Sequence, residues 1–207
     1  ESYAAAAKAA VRPLVSKDGK IDRVAIDREQ HVVHGLAWVT TYAETLREVR
    51  DWARALSAAG KFGETEQLLA KLLAAEYSAQ LAGGLPMTQV ESIRPSDFGI
   101  DAPPVALAVT QSEKTRLAAL LHDSQGRTTF ENTNLDADFE MMRDQFRKFA
   151  DDRIVPHAHG WHCRDEFIPM SIVEEMGALG VFGLTIPEEY GGSGLGKTSM
   201  CVVSEEL

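Results

Sequence analysis

Gly191-Gly192-Ser193-Gly194-Leu195-Gly196-Lys197-Thr198 satisfies G-x-x-x-x-G-K-[ST]. In that pattern backbone amides cradle a polyphosphate, the Lys reaches its terminal oxygens and the hydroxyl holds Mg²⁺. The surroundings point elsewhere. A buried strand should enter the first Gly, yet Pro187-Glu188-Glu189-Tyr190 precedes it, with a proline that interrupts strand pairing and two carboxylates that repel phosphate. Nine residues follow Thr198, too few for a strand carrying the Mg²⁺ aspartate. A turn capped by Thr198 is the expectation, and a phosphate-loop hydrolase is set aside.

Three imidazoles and a thiol fall within seven residues in His157-Ala158-His159-Gly160-Trp161-His162-Cys163. They are chemically able to hold Zn²⁺ or a similar metal, but their spacing fits no finger or ribbon, and on a helix His157 and His159 would diverge. A polar connection between helices, with no metal, is the expectation. His31 and His34, beside Trp38, read as partly buried packing residues rather than catalysts. The acidic doublets Asp151-Asp152, Glu174-Glu175, Glu188-Glu189 and Glu205-Glu206 are adjacent in sequence, so they diverge on a helix and read as solvated. No candidate catalytic, cofactor-binding or metal residue emerges from these patterns.

The elements that would position such groups read as helices. Ala-rich residues 2–11 favour helix and should stop at Pro13, which lacks an amide donor. Ser16 to Lys20 is a polar turn. A long helix is predicted from Asp22 to Ala59, its stripe Val32, Leu36, Val39, Ala43, Leu46, Val49, Ala53 and Leu56 recurring every three or four residues up to Gly60. Glu64 to Ala82 forms the second arm of an antiparallel hairpin, with Leu68, Leu69, Leu72, Leu73 and Leu81 packing onto the first. Residues 85–104, punctuated by four prolines, read as loop, followed by a helix over 111–122. Later helices are predicted from Asp136 to Ile154, after Pro169, and from Thr198 onward; Pro156 should end the first of these. Strand periodicity is not convincing anywhere, so the chain is expected to be all-α.

The 207 residues contain 44% apolar and 25% charged types, ordinary for a folded globular chain. No stretch has the roughly 20 apolar residues of a membrane span. A net charge of −10, with no basic cluster, disfavours nucleic acid. Two cysteines make no disulfide framework, which suits the reducing cytoplasm. Residues 1–132 carry 15 basic and 17 acidic side chains, whereas 133–207 carry 6 and 14. This shift predicts a helical extension over 1–123, a linker over 124–134 where turn formers cluster, and a second unit over 135–207. The helix opening at Thr198 lacks a stop signal, so the sequence is expected to be the front part of something longer.

The second unit resembles a known family. Phe146-x-x-Phe149 before Arg153-Ile154-x-Pro156, then Met176-Gly177-x-Leu179-Gly180-x-Phe182-Gly183-Leu184, is similar to the amino-terminal helical domain of acyl-CoA dehydrogenases. Ile186-Pro187-Glu188-Glu189-Tyr190-Gly191-Gly192-x-Gly194-Leu195 and Ser204-Glu205-Glu206-Leu207 strengthen the likeness, which covers about 139–207 and explains the glycine loop as a turn between helices. In the first unit, Gln30-His31-x-x-His34-Gly35-Leu36-Ala37-Trp38, Gly60-Lys61-Phe62-Gly63-Glu64 and Ala82-Gly83-Gly84-x-Pro86-Met87 resemble the extension of the (2S)-methylsuccinyl-CoA dehydrogenases.

The resemblance implies α,β-dehydrogenation of a short branched dicarboxylic acyl-CoA, (2S)-methylsuccinyl-CoA to mesaconyl-CoA, in the ethylmalonyl-CoA route of acetate assimilation. A carboxylate would take the α-proton while FAD accepts the β-hydride, and an electron-transfer flavoprotein would reoxidise the flavin. It also implies a cytoplasmic homo-oligomer. The family's base and most of its flavin contacts belong to later domains, so none is expected before Leu207. The alternative is a non-catalytic helical interaction module.

Overall fold

The computed structural model describes residues 2–124, 133 and 135–207. Most of the expected linker over 124–134 lies outside the described residues. The chain divides into two compact units, Glu1–Asn134 and Leu135–Leu207, and the described residues are overwhelmingly helical.

In the first unit, α1 (Ser2–Val15) runs through Pro13 rather than stopping before it. Pro13 falls in the last turn, where it forfeits the one bond its amide would have given to the Ala9 carbonyl and leaves the turns before it intact. The expected polar turn over Ser16 to Lys20 is the reversal of a short hairpin, β1 (Ser16–Lys17) against β2 (Lys20–Ile21). Asp18 and Gly19 both have positive φ, 52° and 76°, which gives the reversal a tight two-residue loop. The predicted long helix is split in two. α2 (Arg23–Arg28) is capped by Asp22, whose Oδ1 accepts from the amides of Val24 and Ala25. It breaks at Glu29 before α3 (Gln30–Ala58) begins. α4 (Glu64–Gly83) then completes the antiparallel hairpin.

The greater departure lies in residues 85–98. Where loop was predicted, a small antiparallel ladder pairs β3 (Leu85–Pro86) with β4 (Ser92–Ile93), and a 3₁₀ turn occupies Pro95–Phe98. Leu85, Met87, Ile93 and Phe98 are buried there together with Ala7 and Val11 of α1, Val39 of α3 and Leu81 of α4. This hairpin is the centre of the core, and the helices wrap it. Close approach is possible because position 35 has no side chain: a Cβ on Gly35 would lie 2.3 Å from Ile93 Cγ1. The leucine stripes of α3 and α4 pack only partly on one another. Leu69, Leu72 and Leu73 instead line, with Val49, Trp52 and Tyr77, an open apolar groove of about 460 Å³. α5 (Gln111–Asp123) closes the unit, its Thr110–Glu113 capping box satisfying both partners' backbone amides.

In the second unit, α6 (Ala137–Arg153) starts at the Asp136 cap and passes almost directly into α7 (Val155–Cys163). α8 (Met170–Ala178), two 3₁₀ turns (Val181–Gly183 and Glu188–Tyr190) and α9 (Lys197–Glu206) follow. Phe146, Leu184 and Val203 form its buried centre, with Met142, Val181 and Leu207 packed against them.

Candidate functional site

The glycine loop can be tested bond by bond. Every amide from 191 to 195 donates to a carbonyl of the same unit: Gly191 to Glu188 (2.9 Å), Gly192 to Pro187 (3.2 Å), Ser193 to Gly183 (2.9 Å), Gly194 to Ile186 (2.8 Å) and Leu195 to Leu184 (2.8 Å). Amides committed inward cannot cradle phosphate. A 3₁₀ turn, not a strand, enters the loop. Gly192 is required sterically, since a Cβ there would lie 2.1 Å from the Ile186 carbonyl oxygen. Thr198 does not cap the next helix: Gly196 holds that position without a side-chain bond, and Ser199 Oγ donates back to its carbonyl at 2.6 Å. The loop is a folded turn, and Lys197 and Thr198 face solvent.

The His157–Cys163 segment is helical rather than a connection. Pro156 occupies the first turn of α7, a place where a missing amide donor is harmless, so it opens this helix while α6 ends before it. His157 lies tilted against Trp161, with ring centres 5.6 Å apart, and His159 Nε2 lies 3.6 Å from Cys163 Sγ. Helical spacing divides the imidazoles among faces. Among the described residues, no three His, Cys, Asp or Glu converge on a metal site.

His31 and His34 are exposed, not packed as expected, and each has a polar partner. His31 Nδ1 lies 2.8 Å from Glu91 Oε1, and its Nε2 lies 3.7 Å from Asp97 Oδ2. This joins the first turn of α3 to the hairpin and the 3₁₀ turn. His34 Nε2 accepts from Trp38 Nε1 at 3.0 Å, which places the ring's own proton on Nδ1 when it is neutral. His31, His34 and Glu91, with Ile26 and Gln30, line a groove of about 340 Å³.

In two of the acidic doublets one carboxylate is paired with an arginine, while Glu174 and Glu205 are exposed as expected. Glu206 is 7% exposed at its side chain and takes both Arg147 Nε (2.8 Å) and Nη2 (2.6 Å). That fork raises the Arg147 pKa further above its already high value. Glu175 receives a similar fork from Arg153, at 2.8 and 2.5 Å, which lowers its carboxyl pKa. Sequence spacing could not reveal either pair, because the partners lie 59 and 22 residues apart. These forks tie α6 to α9 and to α8. Their carboxylates are occupied by arginine, so they are framework rather than bases.

Residues 136–207 match the family model described as the acyl-CoA dehydrogenase, N-terminal domain. They are an acyl-CoA dehydrogenase amino-terminal domain. The glycine loop and both forks lie within this acyl-CoA dehydrogenase domain. Among curated relatives, the glutaryl-CoA dehydrogenase of Desulfococcus multivorans is 40% identical over 76 residues, 36% of this chain and 20% of its own length. The mitochondrial isovaleryl-CoA dehydrogenase of Oryza sativa subsp. japonica is 35% identical over 92 residues, 44% of this chain and 21% of its own. The (2S)-methylsuccinyl-CoA dehydrogenase of Cereibacter sphaeroides is 50% identical over 209 residues and covers 97% of this chain, so this similarity takes in the first unit as well. The chain spans 38% of that relative's length.

Proposed function

We propose that this chain is part of a flavin-dependent acyl-CoA dehydrogenase that oxidises the α,β bond of (2S)-methylsuccinyl-CoA to mesaconyl-CoA. One observation carries the reading: the similarity to a (2S)-methylsuccinyl-CoA dehydrogenase runs through both units at 50% identity. The glutaryl- and isovaleryl-CoA dehydrogenases, by contrast, align over 36% and 44% of the chain.

The implied cofactor is FAD, the partner that reoxidises it an electron-transfer flavoprotein, the assembly a homo-oligomer and the compartment the cytoplasm. Among the described residues no helix is long and apolar enough to cross a membrane. The described residues do not fit a flavin site. The loop that looks most like a phosphate cradle has its amides turned inward, and the carboxylates of Glu175 and Glu206 are held by arginines. We therefore assign no catalytic residue to positions 1–207. The base and the flavin contacts are assigned to the part of the relatives' length that this chain does not span. What this chain contributes is the amino-terminal helical domain and an added helical unit before it.

The test compares the complete protein with the 207-residue chain. The complete protein should purify yellow and convert methylsuccinyl-CoA to mesaconyl-CoA with an artificial electron acceptor. The short chain should be colourless and inactive with FAD added. A colourless, inactive complete protein would favour the helical interaction module, and turnover by the short chain would overturn the assignment of the base.

A further inference from the structure

α5 is joined to α4 chiefly by charge. Leu117 is its one fully buried side chain among the described residues, and its other apolar contacts are half-buried. Three ion pairs cross between the helices. Arg116 Nε and Nη2 donate to Glu64 at 2.9 and 2.6 Å, Lys71 Nζ donates to Glu113 at 2.5 Å, and Lys114 Nζ donates to Glu76 at 2.8 Å. Along α4 the signs run negative, positive, negative, and α5 answers with the reverse.

Such alternation specifies register. Sliding α5 by one turn, three residues, would place Arg116 where Glu113 now faces Lys71 and carry Glu113 toward Glu76. Both new encounters are like-charged and repulsive, as in helix pairs whose flanking charges choose partner and orientation. The approach to α5 adds little else. Residues 101–110 form neither helix nor strand, and Val105 and Leu107 are about half exposed. A helix on an extended arm, seated by partly exposed ion pairs, is a different construction from α1 and α3, which bury Ala7, Val11 and Val39 in the core.

We propose that α5 is a strap, locked in a single register on α4 by this charge alternation and released as a unit by ionic strength while α3 and α4 stay folded. Screening is the physical lever. The Debye length falls from about 10 Å at 0.1 M salt to about 3 Å at 1 M, and half-exposed pairs feel that change where a buried core does not. Among the described residues α5 is the last helix of the first unit.

Hydrogen exchange read by mass spectrometry on the complete protein tests the strap independently of any activity. Raising salt from about 0.1 M to about 1 M should speed exchange over 111–123 several-fold and leave 64–83 unchanged. Glu64→Arg with Glu76→Lys should open the strap already at low salt. Adding Arg116→Glu with Lys114→Glu, which makes each pair oppositely charged again, should close it again. Unchanged exchange over 111–123 in high salt, parallel opening of 64–83, or failure of the re-paired charges to reseat α5 would each overturn the proposal. The salt series on the parent protein decides even if a variant does not fold.

Discussion

Arg147 and Glu206 form a two-bond fork between α6 and α9, with Nε and Nη2 of the guanidinium on the two carboxylate oxygens. The pair is asymmetric in its surroundings. Glu206 is 7% exposed at its side chain and Arg147 33%, so removing the arginine strands a nearly buried carboxylate. Arg147→Met should cost about 2 kcal/mol, between the values for exposed and for fully buried pairs. Arg147→Met combined with Glu206→Leu should recover most of that loss, since no charge is then left unpaired. Urea unfolding of the two single variants and the double variant measures the coupling, and additive losses would show that the fork contributes nothing.

Gly192 and Lys197 sit in one sequence pattern and should behave oppositely. A methyl group at 192 collides with the Ile186 backbone, and neither partner can yield without breaking the Gly192–Pro187 and Gly194–Ile186 bonds. Gly192→Ala should destabilise by about 3 kcal/mol or more, in the range of strained or overpacked sites. Lys197→Ala should leave stability, and in the complete protein the proposed dehydrogenase activity, within a few-fold of the parent. Nucleotide binding that Lys197→Ala abolishes, measured by calorimetry, would restore the phosphate-loop reading.

Periodicity was enough to locate α4, α5, α6 and the two arms of the first hairpin, because each carries apolar residues at helical spacing. It ended α6 before Pro156, as observed, but missed that the same proline opens α7 in its first turn. It stopped α1 at Pro13, which instead falls in that helix's last turn. It also missed the hairpin of Leu85, Met87 and Ile93, since four prolines over 85–104 mask a segment whose burial comes from distant helices. Gly35 carries the one readable trace of that burial, a glycine inside an otherwise good helix. The Arg147–Glu206 and Arg153–Glu175 forks are invisible to spacing, so local rules describe those carboxylates as solvated. The candidate site was less legible than the fold: family motifs identified the domain, whereas no motif marked His31 as the link to Glu91.

The burial pattern ranks the leucines differently from the stripes. Leu85 is 1% exposed inside the core, while Leu72 lines the open groove. Leu85→Ala should cost about 2–5 kcal/mol, as for buried leucines generally. Leu72→Ala should cost clearly less, because the removed methyls already face solvent-accessible space. Gly35→Ala belongs with the costly group: its methyl overlaps Ile93, and overpacking of a core contact costs about 1–3 kcal/mol. Thermal unfolding of the three variants gives the order, and equal shifts for Leu72 and Leu85 would show that the groove is closed in solution.

Glu113 supplies a pH dependence whose direction follows from its partners. The Lys71 ammonium first, then the amide and hydroxyl of Thr110, hold its carboxyl down to about 2, against an ordinary value of 4.5. Between those values the folded state keeps the carboxylate ionised while the unfolded chain takes up a proton. Acid therefore favours unfolding across that window. The stabilisation is fully present above about pH 4.5 and is lost as pH falls through about 2. Glu113→Gln removes the titrating group and keeps its size. The variant should be less stable than the parent at neutral pH, and the gap should narrow steadily as the pH is lowered from 4.5 toward 2. Hydrogen exchange over 111–123 at a series of acidic pH values, corrected for intrinsic rates, locates the effect in α5. A parent–variant gap that stays constant through the window would mean that the Lys71–Glu113 pair does not hold the helix.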